Sequence, residues 1–302
     1  MPPRSFCSQF SQLAREEAAG TGAHPARMIL ILWPKGRWMH PMSQARDMAP
    51  PLSEAIARVR AAGWRVNLID RKTGPAPQGQ AMVFPEGLHY ATTPETLPAL
   101  LDALAAEAPA PLAATPISAP PILCCTHGVH DACCAKFGHA TYRALEAAAQ
   151  TSGAPVEIWE TTHLGGCRFS PNVLVVGAMR KYGRVMPRDA APLLAAEGAG
   201  RAYLPCLRGS AHLSPAAQVA EIAALRHHAA PGDTAAPAQR VDQLHLSAGQ
   251  ARFRVETAQG QIEVTCTEVT VDSHDSCADL MAEEALKSRR QWRLAGLRAL
   301  SD

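Results

Sequence analysis

Short apolar runs and helically spaced apolar positions alternate along the first two-thirds of the chain, and the period changes near residue 240. Met28 to Trp33 (MILILW) reads as a buried strand closed by a turn at Pro34 and Gly36. Leu52, Ile56 and Val59 recur at helical spacing behind Pro50 and Pro51, with Gly63 as the stop. Trp64 to Ile69 and Ala81 to Phe84 read as strands. Thr93 to Leu104, with Leu97, Leu100, Leu101 and Leu104 on one side, reads as a second helix. Residues 1–106 thus predict a β-α-β-β-α unit.

Residues 107–121 (EAPAPLAATPISAPP) are rich in Ala and Pro and predict a linker that forms neither helix nor paired strand. A second α/β unit is expected over 122–230: a strand from Pro121 to Cys125, a long helix from Asp131 to Gln150, strands Val156–Trp159 and Asn172–Val176, and helices Ala190–Glu197 and Pro215–Ala230. Beyond a second breaker-rich stretch, 229–239, the pairs Leu244/Leu246, Phe253/Val255 and Ile262/Val264 alternate with polar neighbours, with turns at Ser247–Gln250 and Ala258–Gly260. Residues 240–302 therefore predict a small antiparallel β-meander followed by a helix from Cys277 to about Leu297.

Composition narrows the function classes. The chain has 302 residues, 47% of them hydrophobic, enough for a substantial core. A formal net charge of +2 gives no electrostatic case for nucleic acid or for a membrane surface. The start lacks a continuous apolar signal segment, and no stretch reaches the roughly 18 apolar residues of a membrane span, so the expected compartment is the cytoplasm. There, nine cysteines point to metal binding or catalysis rather than to a disulfide framework.

Five of those cysteines fall between Leu123 and Cys167, in two loops at strand ends. The first, CCTHGVHDACC, spans Cys124 to Cys134; Gly128 marks its turn, and Asp131 is placed to cap the following helix. Thiols at a helix start are favoured as thiolates. The second, THLGGCRFS, puts His163 and Cys167 on either side of Leu164 and two glycines. Two loops with two soft donors each suit a four-ligand site, and the donor set alone is compatible with zinc or an iron–sulfur cluster. The wide separation of Cys125 and Cys134 favours a binuclear centre over a zinc knuckle, whose ligands lie about two to four residues apart. Gly165 and Gly166 would let backbone N–H groups approach bridging sulfides.

The runs CTHGVHDACCAKFG, WETTHLGGCRFSPNVLVV, KYGRV and LRGSAHLSPAAQVAE, with CSQFSQLAREEAAGTG near the start, resemble the sucrase/ferredoxin-like family up to about residue 225. The resemblance implies two thioredoxin-like α/β units in tandem: residues 1–106, then a ferredoxin domain over 122–230. It also implies a [2Fe-2S] cluster held by a C-x8-C pair and an H-x3-H pair. Those positions are Cys125, Cys134, His163 and Cys167. The last is Cys where the family has His, so the implied ligand set is three cysteines and one histidine. His130 stands where the family usually has Arg, and it can compete as a ligand.

A one-electron carrier or redox sensor with proton-coupled reduction is the resulting expectation, an electron-transfer protein needing a redox partner rather than a stand-alone enzyme. A structural zinc site on the same residues and a cluster-dependent reductase of a small acceptor are the alternatives. Ligand exchange within the doublets Cys124/Cys125 and Cys133/Cys134 stays open. Cys7, Cys206, Cys266 and Cys277 read as structural or inert, with Cys277 near the cluster only if the tail folds back. Arg168 and Arg208 read as surface or salt-bridging residues, or as countercharge to an anionic cluster. The basic run KSRRQWR reads as a solvated helix face, with Glu283 paired to Lys287. No glycine-rich phosphate loop, C-x-x-C pair or placeable glycosidase carboxylate pair is present.

Overall fold

The computed structural model describes residues 6–74, 76–153, 155–229 and 234–300. A short N-terminal helix, α1 (Cys7–Leu13), precedes β1 (Met28–Leu32), α2 (Pro50–Ala61), β2 (Arg65–Asp70), β3 (Ala81–Phe84), β4 (Leu88–Tyr90), α3 (Leu97–Ala105) and β5 (Thr115–Pro116). Met28, Leu30 and Leu32 of β1 face one core and Ile29 and Ile31 the other, as expected of a strand buried on both sides. On the second of these faces, α2 packs with Leu52, Ile56 and Val59 and α3 with Leu97, Leu100 and Leu101.

The next segment repeats this order. β6 (Ile122–Cys125) leads through a π-helical turn, Cys134–Gly138, into α4 (His139–Ser152), then β7 (Ile158–Thr161), β8 (Val173–Val175), β9 (Arg180–Tyr182), α5 (Ala190–Gly198), β10 (Ala202–Tyr203), β11 (Leu207–Ser210) and α6 (Pro215–His228). Ala230, expected at the end of α6, lies outside the described residues. β1 pairs in parallel with β2 and antiparallel with β3, and β6 does the same with β7 and β8. The two halves join edge to edge, β2 running antiparallel to β7 through Ile69↔Thr161 and Asp70↔Glu160. Among the described residues the result is one ten-stranded mixed sheet in the order β11-β9-β8-β6-β7-β2-β1-β3-β4-β5.

The Ala/Pro segment corrects one expectation. Thr115 and Pro116 form the edge strand β5, pairing with His89 and Leu88 of β4. Proline is tolerated there because an edge strand leaves one side of its backbone unpaired.

A second sheet follows a short strand, β12 (Thr234–Ala235), which pairs with β10. It is built from β13 (Arg240–Ser247), β14 (Gln250–Thr257), β15 (Gly260–Ser273) and, after the helical turn α7 (Cys277–Met281), β16 (Lys287–Leu300). The inward positions Ala251, Phe253, Val255, Ile262, Val264 and Cys266 close over the alanine-rich face of α6. That clamps α6 between the two sheets.

The meander is as the alternation predicts, but the long helix from Cys277 to Leu297 is not formed. After α7 the chain is a strand paired with β15 from Lys287 to Leu300. Leu, Ala and Arg favour a helix intrinsically, yet pairing along the 14-residue β15 outweighs that preference. The basic residues then lie on a sheet edge: Arg290 pairs with Glu268 and Arg298 with Glu263 across the strands, and Lys287 pairs with Asp279 and Glu284. Charged edge strands resist pairing with other chains. Among the described residues no helix is long and apolar enough to cross a membrane.

Candidate metal centre

Successive side chains of a strand point to opposite faces, so the doublet at the end of β6 divides. Cys124 enters the core beneath α4 and α5, where its thiol donates to the Gly138 carbonyl at 3.4 Å. Cys125 emerges on the other face, 3.5 Å from Cys134 Sγ. Gly138 is required for this approach, because a Cβ there would stand 2.1 Å from the Cys125 carbonyl oxygen. The π-turn that starts at Cys134 thus lies directly against the end of β6, a local geometry often found at functional sites.

The second loop closes over this pair. Cys167 lies with Cys134 and Asp131 in one compact donor group, and its Sγ is 3.3 Å from His163 Nδ1. Cys125, Cys134, Cys167 and His163 therefore form a connected set of donors drawn from two loops. His130 lies against His163 with ring centroids 4.1 Å apart and planes tilted by 41°, close enough to share the donor group of His163 and Cys167. From His130 the rings continue to the exposed His40 at 4.9 Å.

The half of the chain before residue 107 holds the His163 loop in place. Asn67 Nδ2 donates to the Thr162 and His163 carbonyls at 3.1 and 3.2 Å, and the Arg65 guanidinium donates to the His163 carbonyl. From the other side, Asn172 Nδ2 donates to the Gly166 carbonyl at 2.9 Å, while the Asn172 carbonyl receives the Cys125 N–H at 3.0 Å.

Buried positive charge surrounds the donors. Arg208 is 3% exposed, and its guanidinium donates to the Thr21 hydroxyl and carbonyl, the Gly165 carbonyl and Asn172 Oδ1. Lys181 is 2% exposed and donates to the Leu164 carbonyl at 2.6 Å and the Ala23 carbonyl at 3.4 Å. Together with Arg65 these cations meet neutral acceptors; among the described residues none of the three forms an ion pair with a carboxylate. Burial pushes the Lys181 amine well below its ordinary range and the Arg208 and Arg65 guanidinium groups to about 9 and about 10. The Cys125 and Cys167 thiolates pull Lys181 back upward. Gly165 and Gly166 adopt positive φ, and a Cβ at Gly166 would stand 2.7 Å from the Arg208 guanidinium. The two glycines thus make room for Arg208 and Lys181. Arg168 is an ion-pairing residue, bound to the buried Glu16 at 2.6 Å and to Asp275 at 3.2 Å.

Protonation states follow from burial. His163 is lowered to about 3 and His127 to about 4, desolvation being the largest cause in each, so both imidazoles are neutral at pH 7. The Cys125 thiol is raised by its hydrogen bond with Cys134 and by burial, while backbone N–H groups of His127 and Leu164 favour its thiolate. A centre that supplies positive charge to these sulfurs would reverse that balance.

Cys133, beside Cys134 in the chain, belongs to a different group. Its Sγ lies 3.5 Å from Cys7 Sγ and 3.2 Å from Cys277 Sγ, and Cys277 Sγ lies 3.6 Å from Cys7 Sγ. Asp131 lies at the edge of this triad and also caps the turn, accepting the Cys133 N–H at 2.8 Å. Spacing along the chain gives no sign of this grouping, which unites residues from the two ends of the protein. The β15–α7 return of the tail brings Cys277 to Cys133 and Cys7, in a donor group that contains none of Cys125, Cys134, His163 and Cys167.

Donor atoms of the right kind meet across the two loops that carry the sequence resemblance, inside a pocket of buried positive charge. No curated protein matches the sequence. A match to the sucrase/ferredoxin-like family extends over residues 18–209, a span that includes both loops, Arg65, Lys181 and Arg208 and ends before the second sheet. The chain belongs to the sucrase/ferredoxin-like family.

Proposed function

We propose that the chain is a one-electron carrier or redox sensor that holds a [2Fe-2S] cluster through Cys125, Cys134, His163 and Cys167. The observation that supports this most directly is the convergence of four soft donors near the buried Lys181 and Arg208 and the half-buried Arg65, cations that have neutral partners. Three thiolates and a neutral imidazole leave a bound centre anionic, and Arg65, Lys181 and Arg208 supply the opposite charge. Backbone N–H groups of His127 and Leu164 at Cys125 fit the same purpose, since hydrogen bonds to sulfur and nearby charge tune cluster potentials.

When bound, such a cluster supplies a centre that accepts and releases single electrons. The chain's own residues set the conditions. His163 turns Nδ1 toward Cys167, which leaves Nε2 as the atom at which a proton is held on reduction. His130 and His40 connect that ring to the surface. The exposed tip at Gly128 and Val129 is the short approach to the first ligand loop for a redox partner protein.

In this reading the two halves of the large sheet, each with strand order 2-1-3-4 counted from its own first strand, are thioredoxin-like units over 1–106 and 122–230, joined through 107–121 and followed by an accessory domain over 240–302. Free thiols throughout the described chain suit a reducing compartment such as the cytoplasm.

Anaerobic purification followed by iron, sulfide and zinc analysis with electron paramagnetic resonance tests the proposal. About two iron and two sulfide per chain, with a rhombic signal on one-electron reduction, are expected. A colourless protein with zinc bound by Cys125 and Cys134 would overturn it in favour of the structural-zinc alternative.

A further inference from the structure

We propose that Cys7, Cys133 and Cys277, with the Asp131 carboxylate as fourth donor, form a second metal site that holds a single zinc ion in a closed, structural role. The three sulfurs are mutual neighbours at 3.5, 3.2 and 3.6 Å, and Asp131 Oδ2 lies 3.9 Å from Cys7 Sγ. A tetrahedral zinc with Zn–S bonds of about 2.3 Å needs ligand atoms roughly 3.8 Å apart, so these four atoms need only small shifts to enclose one ion. All four residues are at most 3% exposed, and their donor atoms all lie within 4.8 Å of one another.

Hydrogen bonds that would hold these donors in position are already formed. Asp131 Oδ1 accepts the Cys133 N–H and Oδ2 the Cys277 N–H, each at 2.8 Å, which fixes the carboxylate beside the thiols. The Ser8 hydroxyl lies 3.3 Å from Cys133 Sγ. Outer hydrogen bonds of this type orient ligands and raise metal affinity. Three thiolates with one carboxylate and full burial match a structural zinc site better than a catalytic one, which keeps a position open to solvent.

The ligands come from three separate places: the first residue of α1, the loop before the π-turn, and the first residue of α7. Cys7 and Cys277 lie outside the family match, whereas Asp131 and Cys133 lie within it. A metal here would pin both ends of the chain to the loop that carries Cys134. Closing so long a loop removes much of the unfolded chain's freedom.

The site is independent of the [2Fe-2S] reading, and metal analysis of variants separates the two. The full chain, expressed in zinc-supplemented medium, is expected to carry one zinc per molecule. Cys7→Ser and Cys277→Ser are each expected to lose that zinc while keeping iron, sulfide and visible absorption. Cys125→Ser is expected to lose the iron and keep the zinc. As a second measurement, cobalt(II) added to the metal-depleted Cys125→Ser/Cys134→Ser chain, in which the other donor set is broken, should give the intense visible bands of a tetrahedral thiolate site, and one equivalent of zinc should abolish them. Absence of zinc from the full chain, absence of cobalt bands in that double variant, zinc retained in both Cys7→Ser and Cys277→Ser, or a disulfide among the three cysteines found by mass mapping would each overturn the proposal.

Discussion

Cys133 and Cys134 are adjacent in the chain, yet their thiols serve different neighbours: Cys134 meets Cys125 at 3.5 Å and Cys133 meets Cys277 at 3.2 Å. The doublet therefore faces two ways across the start of the π-turn, and each half of it can be tested alone. Cys125→Ser and Cys134→Ser should lose most of the bound iron and sulfide. Cys124→Ser should keep them, because that thiol points to the opposite face of β6. Iron and sulfide assays on anaerobically purified variants give the answer.

Burial holds Lys181 well below its ordinary range, but thiolates at Cys125 and Cys167 pull it back upward, so with an anionic centre bound its ammonium should raise the reduction potential. Reduction adds an electron to an already anionic centre, so replacing the ammonium by the neutral amide in Lys181→Gln should lower the potential. For a charge about 6 Å away at an effective dielectric constant of about 20, the shift is of order 100 mV. Protein-film voltammetry measures it, and an unchanged potential would count against Lys181 as countercharge.

The potential should depend on pH through His163. An electron added near the ligating ring raises the proton affinity of its second nitrogen, so the potential should fall as pH rises, by up to about 59 mV per unit. His163→Cys should flatten this dependence and lower the potential, since an imidazole is replaced by an anionic thiolate. Rieske centres with two histidines lie at about −150 to +300 mV and all-cysteine plant-type ferredoxins near about −400 mV, so one histidine belongs between those ranges.

Acid should weaken the metal-depleted protein. His163 and His127 are lowered in the folded state to about 3 and about 4 from an ordinary 6.5. Between those values and 6.5 the unfolded chain binds more protons, so stability falls as pH drops below about 6.5 and the loss is complete below about 3. His127→Gln should remove its share of the slope. Urea midpoints from pH 7 to pH 4 report the difference.

Gly138→Ala should damage fold and site together. The added methyl would press on the Cys125 carbonyl oxygen, a backbone atom that cannot swing aside, and separate β6 from the π-turn. A loss of several kcal/mol in denaturant unfolding and a large drop in iron content are expected.

The strands and helices that position the first ligand loop were legible because their signals are local: the apolar run MILILW, the proline-led α2, the strand into Cys125, and the alternating meander. The grouping of Cys125, Cys134, His163 and Cys167 was implied by the family resemblance, while spacing alone left exchange within the Cys124/Cys125 and Cys133/Cys134 doublets open. Other features depend on partners far away in sequence. Arg208 reads from sequence as surface, salt-bridging or countercharge, and Lys181 gives no local signal at all; β9 and β11 bury both beside the glycine pair. β16 read as a helix because its composition favours one and β15 is invisible to a local window. The sulfur triad joins residues 7, 133 and 277, a distance over which no periodicity carries information.

The seam between β2 and β7 bears on what could be cut from this protein and still function. A fragment beginning at residue 122 would keep all four proposed ligands, so on paper it is a complete miniature ferredoxin. It would lose Asn67 and Arg65, which grip the carbonyls beside His163, and would leave β7 with a bare hydrogen-bonding edge. Such an edge invites pairing with other chains, and an ungripped histidine loop has no fixed aim. The minimal unit for the proposed cluster therefore includes the half of the sheet that would contribute no ligand at all.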